Sequence, residues 1–382
     1  MRLLLVVEEE NLGGAELSFL ELARTLATRV EVHLALGQRA LDRHSAVYPA
    51  LAGHAVALHT CTHPLNPGTF SNLHRLLRRK AAAEVAALIG SVGPTAILVN
   101  LPTVERGQAI VDAVGLASPK LPVWGLLHLV QRPSVFGARL GRFRDLMVKQ
   151  LLRRFHRLLT VSETGAEELS RRYALPRPDV IRPPTARLQP VPSASERARR
   201  RTEVGLPHGL LVGMVGRVQL HQKGHDVALR VLARLLGMGR SLNLVIIGDG
   251  PDLPRLRRMT GRMGLASHVT FLGWRSDVGE LIPLLDAVLL PSRFEGLPQT
   301  ALQAATAEVP VVAYGVDGLR ELVPSEFQVP FGDERALATA LREVLRGTRV
   351  WPWKKLAERA AELGDPDRGA ERLLDLLRSS GS

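Results

Sequence analysis

The sequence predicts an α/β protein made of two open, doubly wound parallel sheets, and three observations predict it. Short apolar runs, RLLLVV, VEVHLAL, TAILVN, LPVWGLLHL and RLLTVS, alternate with the helical patterns GAELSFLELARTLA and LHRLLRRKAAAEVAALIG. Runs buried on both faces and separated by helices are how a parallel sheet with crossover helices reads in sequence. Between Pro183 and Pro207 the alternation stops, in a segment rich in Pro, Ser and Arg, PPTARLQPVPSASERARRRTEVGLP. It then starts afresh with LLVGMVGR, LNLVIIGDGP, HVTFLGW, DAVLLPS and VPVVAYG. The expected organisation is a first Rossmann-like domain over residues 1–185, a linker over 186–207 and a second Rossmann-like domain over 208–365. A last helix over 366–382 is expected to pack back on the first domain. Open sheets of this kind take ligands beyond the carboxyl ends of their strands, so two of them facing each other are expected to enclose a central cleft.

Bulk composition agrees with a folded chain of this size. The chain has 382 residues, 46% apolar and 23% charged, enough for two cores of ordinary size. No uninterrupted apolar run approaches the roughly 20 residues of a membrane-spanning helix. The first residues, MRLLLVV, are followed at once by Glu8, Glu9 and Glu10, so they read as a first strand and not as a secretory signal, which points to the cytoplasm. The single cysteine, Cys61, lies in HTCTHP with no basic neighbour to activate it, and is expected to be inert.

Much of the formal charge of +13 lies in the first half, where residues 1–190 carry 24 Lys and Arg against 15 Asp and Glu. The densest run spans Arg139 to Leu159, with Arg142, Arg144, Lys149, Arg153, Arg154 and Arg157 facing one acid, Asp145. Leu146, Leu151, Leu152, Phe155 and Leu158 recur there near helical spacing, so a basic amphipathic helix over Arg139–Arg157 is expected. It reads either as a solvated face or as a contact with an anionic membrane surface. A nucleic-acid surface is disfavoured, because base-stacking aromatics are sparse.

At the strand ends of the second half, Gly216 and Arg217 close LLVGMVGR, and Lys223 precedes the helical pattern HDVALRVLARLL. A guanidinium and an ammonium beside a glycine turn at a helix start suit a diphosphate. The next strand ends in Gly248, Asp249, Gly250 and Pro251, a turn that lets backbone approach a ligand or serves as a turn alone. DAVLLPS ends at Ser292, Glu295 falls in the loop after it, and Pro298 stands at the start of a helix through Ala305. Read without context, Glu295 is either a surface acid or a ligand to a sugar hydroxyl.

The run LLPSRFEGLPQTALQAATAEVPVVA resembles the signature of glycosyltransferase family 4, retaining enzymes of the GT-B fold. GGAELSFLELA, HL after LPVWGLL, TVSETGAEEL, VGRVQLHQKGHDVAL, VIIGDGPDLPRL and VTFLGWRSDVGELI follow the family's order across essentially the whole chain. The resemblance implies transfer of a sugar from a UDP- or GDP-sugar, a co-substrate and not a cofactor, to a glycan or lipid-linked acceptor, without a metal ion. It implies that Arg217 and Lys223 bind the donor diphosphate, that Glu295 binds donor-sugar hydroxyls and that His128 lies over that sugar. Gly13 and Gly14, with Gly216 and Gly248, would let backbone approach the donor. Pro298 and Gln299 would lie beside sugar and phosphate, and Trp274 with Arg275 near the base.

Two departures stand out. The family's second glutamate, which holds the ribose, is Gln303 here, and VIRPPT at Val180 to Thr185 replaces a common Asn-Gly turn. An amide forms weaker hydrogen bonds than a carboxylate, about 0.5–1.5 against about 1.5–3 kcal/mol, so weaker donor binding is expected. His221 and His225 are four apart but have no thiol partner nearby in sequence, and no zinc site is expected. The rival readings are an epimerase or phosphorylase of the same fold, and a catalytically lapsed sensor of nucleotide sugars or membrane scaffold.

Overall fold

The computed structural model describes residues 1–380 apart from 46, 49–54, 67–71, 136–140, 186–187, 189–191, 240 and 349–351. The chain divides into two compact units, Met1–Pro184 with Asp365–Ser382, and Thr185–Gly364.

The first unit is built on a seven-stranded sheet in the order β3-β2-β1-β4-β5-β6-β7. Its strands are β1 (Arg2–Val7), β2 (Glu31–Gly37), β3 (Val56–Cys61), β4 (Ala96–Leu101), β5 (Val123–Leu127), β6 (Arg157–Thr160) and β7 (Asp179–Val180). All the pairings are parallel. β1 lies in the sheet interior between β2 and β4, and Leu3, Leu4, Leu5, Val6 and Val7 are fully buried because helices cover both faces. The strand order reverses between β1 and β4, the place where such sheets present a binding crevice. Helix Pro366–Ser379 belongs to this unit and contacts helix Gly14–Ala27. The Asp365 carboxylate caps it by accepting from the Asp367 and Arg368 amides, and Gly369 lets it close on Arg182, whose carbonyl oxygen would lie 2.3 Å from a Cβ there.

The second unit has a five-stranded parallel sheet in the order β10-β9-β8-β11-β12. The strands are β8 (Leu210–Val215), β9 (Leu242–Ile247), β10 (Val269–Gly273), β11 (Ala287–Leu290) and β12 (Val311–Ala313). Its order reverses between β8 and β11.

Two expectations are corrected. Within residues 186–207, read as a linker, the helix Ala194–Glu203 forms and lies in the second unit. Arg197 and Arg201 on that helix donate to the Asp286 carboxylate at 2.8 and 2.9 Å, so the arginines that resemble linker charge are docking groups. The basic run does not form one helix either. The helix covers Gly141–Leu152, Phe155 is buried, and Arg157 begins β6, because pairing with β5 captures the end of the run. Arg144, Arg154 and Arg157 are tied to Glu105, Asp112 and Asp179, and Arg157 also lies 5.4 Å over the Trp124 ring. Arg139 lies outside the described residues.

Candidate active site

Of the sequence-predicted residues of the second unit, Gly216, Arg217, Lys223, Gly248 and Glu295 lie in the segments that follow β8, β9 and β11. β8 runs into Gly216, whose φ is +135°, and β9 into Gly248, whose φ is +146°. A Cβ on Gly248 would stand 2.0 Å from the Gly216 carbonyl oxygen, so only glycine permits the two turns to touch. Arg217 follows in an exposed position.

The segment Leu220–Gly224 then makes one helical turn and hands over to helix His225–Gly237. At the hand-over Gly224 has φ +68°, and a Cβ there would meet the Pro291 carbonyl oxygen at 2.1 Å. This close approach sets the β8 turn against the loop that follows β11. The Arg293 amide donates to the Gln222 carbonyl at 2.8 Å, and its guanidinium donates to the Leu220 carbonyl at 2.7 Å and to Asp226. Two residues on, the loop brings the Glu295 carboxylate to Lys223, with Nζ to Oε1 at 2.6 Å. The Glu295 side chain is 5% exposed and that of Lys223 21%, so the pair is well shielded from water.

Helix Gln299–Thr306 begins beside it, with Pro298 at its N-cap. The Thr300 hydroxyl donates to the Val215 carbonyl at 3.3 Å, which holds the helix start at the end of β8. The amide oxygen of Gln299 accepts from the Thr185 hydroxyl at 2.7 Å. Gln303 lies one turn along the helix, half-buried. Trp274 follows β10 and is 43% exposed, and the Arg275 guanidinium is held by both oxygens of Asp277. His221 stacks edge-on against Phe294 at 5.7 Å, and burial lowers the buried His225 to about 4. No group of three His, Cys, Asp or Glu that could hold a metal ion occurs among the described residues.

In the first unit Gly13 caps helix Gly14–Ala27 in an extended conformation, and its amide donates to Glu16 Oε2 at 2.9 Å. His128 follows β5, its amide donating to the Leu101 carbonyl. Its Nε2 is enclosed with no hydrogen-bond partner among the described residues, and burial pushes the imidazole down to about 3. The ring is therefore neutral at neutral pH. Glu8, which the sequence reading did not single out, follows β1, with its Oε2 accepting from the Gly107 amide at 2.8 Å and its Oε1 without a hydrogen-bond partner among the described residues. Burial raises it to about 7. Cys61 is buried at the end of the edge strand β3, and burial pushes its thiol up to about 11, away from the reactive thiolate.

Asp317, Arg293 and Thr185 also escaped the sequence reading. The Glu295 amide donates to Asp317 Oδ2; the Asp-Gly pair at 317–318 is a turn signal, but nothing local ties it to Glu295.

Known proteins place this arrangement. Residues 209–347 match the family model described as glycosyl transferases group 1. The chain is 30% identical over 296 residues to an alpha-D-kanosaminyltransferase of Streptomyces kanamyceticus, covering 75% of this chain and 74% of that one. A 2-deoxystreptamine glucosyltransferase of the same organism is 34% identical over 176 residues, a match spanning 44% of either protein. Among solved structures, Anabaena Alr3699/HepE in complex with UDP-glucose has a TM-score of 0.76 at 20% identity, over 99% of this chain and 100% of that one. Sucrose-phosphate synthase from Thermosynechococcus elongatus has a TM-score of 0.75 at 18% identity, over the whole of both chains. The two parallel sheets are thus those of the GT-B fold, and the chain belongs to the glycosyl transferases group 1 family of glycosyltransferases.

Proposed function

We propose that the protein is a metal-independent, retaining glycosyltransferase that moves a sugar from a nucleoside diphosphate sugar to an acceptor hydroxyl. The observation that carries this reading is the shielded Lys223–Glu295 pair at 2.6 Å, set by glycine turns at the strand ends where open sheets bind ligands. In the proposed reaction Lys223 and Arg217 take the donor diphosphate, and their charge stabilises the leaving nucleotide where other transferases use a divalent ion. Glu295 holds the sugar hydroxyls. The departing phosphate oxygen accepts the acceptor's proton on the face it leaves, so configuration at the anomeric carbon is kept. Gly13, Gly14 and His128 are proposed to contact the donor, with a neutral imidazole that accepts or donates one hydrogen bond and adds no charge. Pro298, Gln299 and Gln303 are proposed to flank the sugar and ribose, and Trp274 and Arg275 the base.

For the acceptor, a glycan or lipid-linked hydroxyl stands beside a second reading, an aminocyclitol. The second is favoured by relatives whose names specify transfer to 2-deoxystreptamine. A cytoplasmic location with peripheral contact to an anionic membrane is proposed on the outer face of helix Gly141–Leu152. That face exposes Phe143, Leu146 and Met147 beside Arg142.

The test is a panel of UDP- and GDP-sugars with 2-deoxystreptamine, oligosaccharide and lipid-linked acceptors, scored by nucleotide release, by NMR of the product anomer and by activity in EDTA. Acceptor-dependent release with a retained anomer, undiminished by EDTA, is expected. Tight nucleotide binding without turnover in any mixture would move the protein to the sensor reading, and an inverted product would remove the mechanism. Glu295→Ala and Lys223→Ala are each expected to lower kcat by about 100-fold or more, and transfer at the wild-type rate by either variant would refute their roles.

A further inference from the structure

The loop that carries Glu295 is held from two sides, and only one involves the ion pair. On the other side lies the turn after β12. There the Glu295 amide donates to Asp317 Oδ2 at 2.9 Å. Asp317 has φ +38°, a left-handed position in which Asp, Asn and Gly are tolerated best. Its neighbour Gly318 lies so close to the loop that a Cβ would come within 1.7 Å of the Gly296 carbonyl oxygen. The two turns therefore meet backbone to backbone, and the Asp317 carboxylate is the side chain that ties Glu295 across the contact.

We propose that Asp317 is a positioning residue for the transfer reaction: by accepting the Glu295 amide proton it fixes the loop so that the Glu295 carboxylate, and not its backbone N–H, faces the donor sugar. The inference rests on the reading of Glu295 as a sugar ligand. A carboxylate bound to a backbone amide forms a charge-assisted bond, stronger than a neutral one. It leaves the loop one peptide orientation, which is what placing a reacting group within a fraction of an ångström requires.

Two variants separate positioning from folding. Asp317→Gly keeps the left-handed backbone and removes the acceptor, whereas Asp317→Asn keeps both. In ligand-free protein, hydrogen–deuterium exchange at the Glu295 amide is expected to quicken about tenfold or more in Asp317→Gly and to stay near wild type in Asp317→Asn. With UDP-glucose and GDP-mannose as donors, kcat is expected to fall about tenfold in Asp317→Gly while donor KM moves less than about threefold. Asp317→Asn is expected to recover kcat. Added to Glu295→Gln, Asp317→Gly should lower kcat by less than about twofold further, since both changes act on one group. Unchanged exchange, an Asn variant as impaired as the Gly variant, or fully multiplicative effects would each overturn the proposal. A wild type that releases neither UDP nor GDP removes the functional reading and the catalytic half of this inference with it. The exchange result still decides the hydrogen bond.

Discussion

Single residues set the chemistry, and two substitutions isolate it. Gln303 stands where the family resemblance implies a ribose-binding glutamate. Restoring the charge with Gln303→Glu exchanges a neutral for a charge-assisted hydrogen bond, a difference of about 1 kcal/mol, so donor KM is expected to fall about fivefold with kcat nearly unchanged. Steady-state kinetics against the donor checks this, and an unaltered KM would separate Gln303 from the ribose. Glu8 supplies a pH signature. Burial raises its carboxyl from the ordinary 4.5 to about 7 in the folded chain, so between those values the folded state holds a proton that the unfolded chain has released. Stability from this group is full below about 4.5 and is lost as pH rises toward 7 and beyond. Glu8→Gln is therefore expected to be more stable than wild type at pH 8, by about 2 to 3 kcal/mol, and nearly equal to it at pH 4. Thermal melts at the two pH values measure the difference, and a gap of the same size at both would exclude Glu8 as its source.

Elements place those residues. β8, β9 and β11 are legible because their apolar runs are short and bounded by Gly and Pro, and their carboxyl ends could be read as a binding edge before any contact was visible. The helix Ala194–Glu203 was not legible. Its sequence, ASERARRRTE, has no apolar face, so a search for hydrophobic periodicity passes over it. Its attachment is polar: Arg197 and Arg201 converge on Asp286, which also accepts from the Leu211 amide at 2.6 Å. These three side chains are 16 to 20% exposed, shielded enough for the bonds to count. Asp286→Ala removes the charged acceptor of two guanidiniums, which keep the Leu284 carbonyl, and leaves the Leu211 amide without that partner, and is expected to lower stability by about 1 to 3 kcal/mol. Chemical denaturation measures it, and a loss under about 0.5 kcal/mol would mean that the helix docks by other means.

On the scale of the whole molecule, charge is redistributed by the fold. The run from Arg139 to Arg157 reads as one basic face, yet Arg144, Arg154 and Arg157 are neutralised by acids distant in sequence. What helix Gly141–Leu152 turns outward is an apolar group, Phe143, Leu146 and Met147, with Arg142 beside it and the exposed Arg153 just beyond its end. A membrane contact on this face would combine apolar insertion with about 1 kcal/mol from each cation near the surface. Co-sedimentation with phosphatidylglycerol vesicles is expected to weaken about tenfold in Phe143→Asp, and further in Arg142→Gln with Arg153→Gln, while Arg154→Gln and Arg157→Gln have less effect. Equal binding to phosphatidylcholine vesicles would argue against the contact. No helix among the described residues is long and apolar enough to cross a membrane.

The sequence by itself determined the two parallel sheets, the strand ends at which chemistry is placed, and Glu295, Lys223 and Arg217 as the residues to examine. The sheets and strand ends, with Lys223 and Arg217, follow from patterns within about ten residues, where periodicity and turn chemistry act, whereas Glu295 stood out only through a resemblance that spans the whole chain. Tertiary structure alone decided which groups meet. Lys223 and Glu295 are 72 positions apart, Thr185 and Gln299 are 114 apart, and Asp317 reaches back 22 to the Glu295 amide. Such pairs leave no local signal, because hydrogen bonds and ion pairs depend on distance in space, and the backbone approaches at Gly224, Gly248 and Gly318 create that distance only once the sheet has formed.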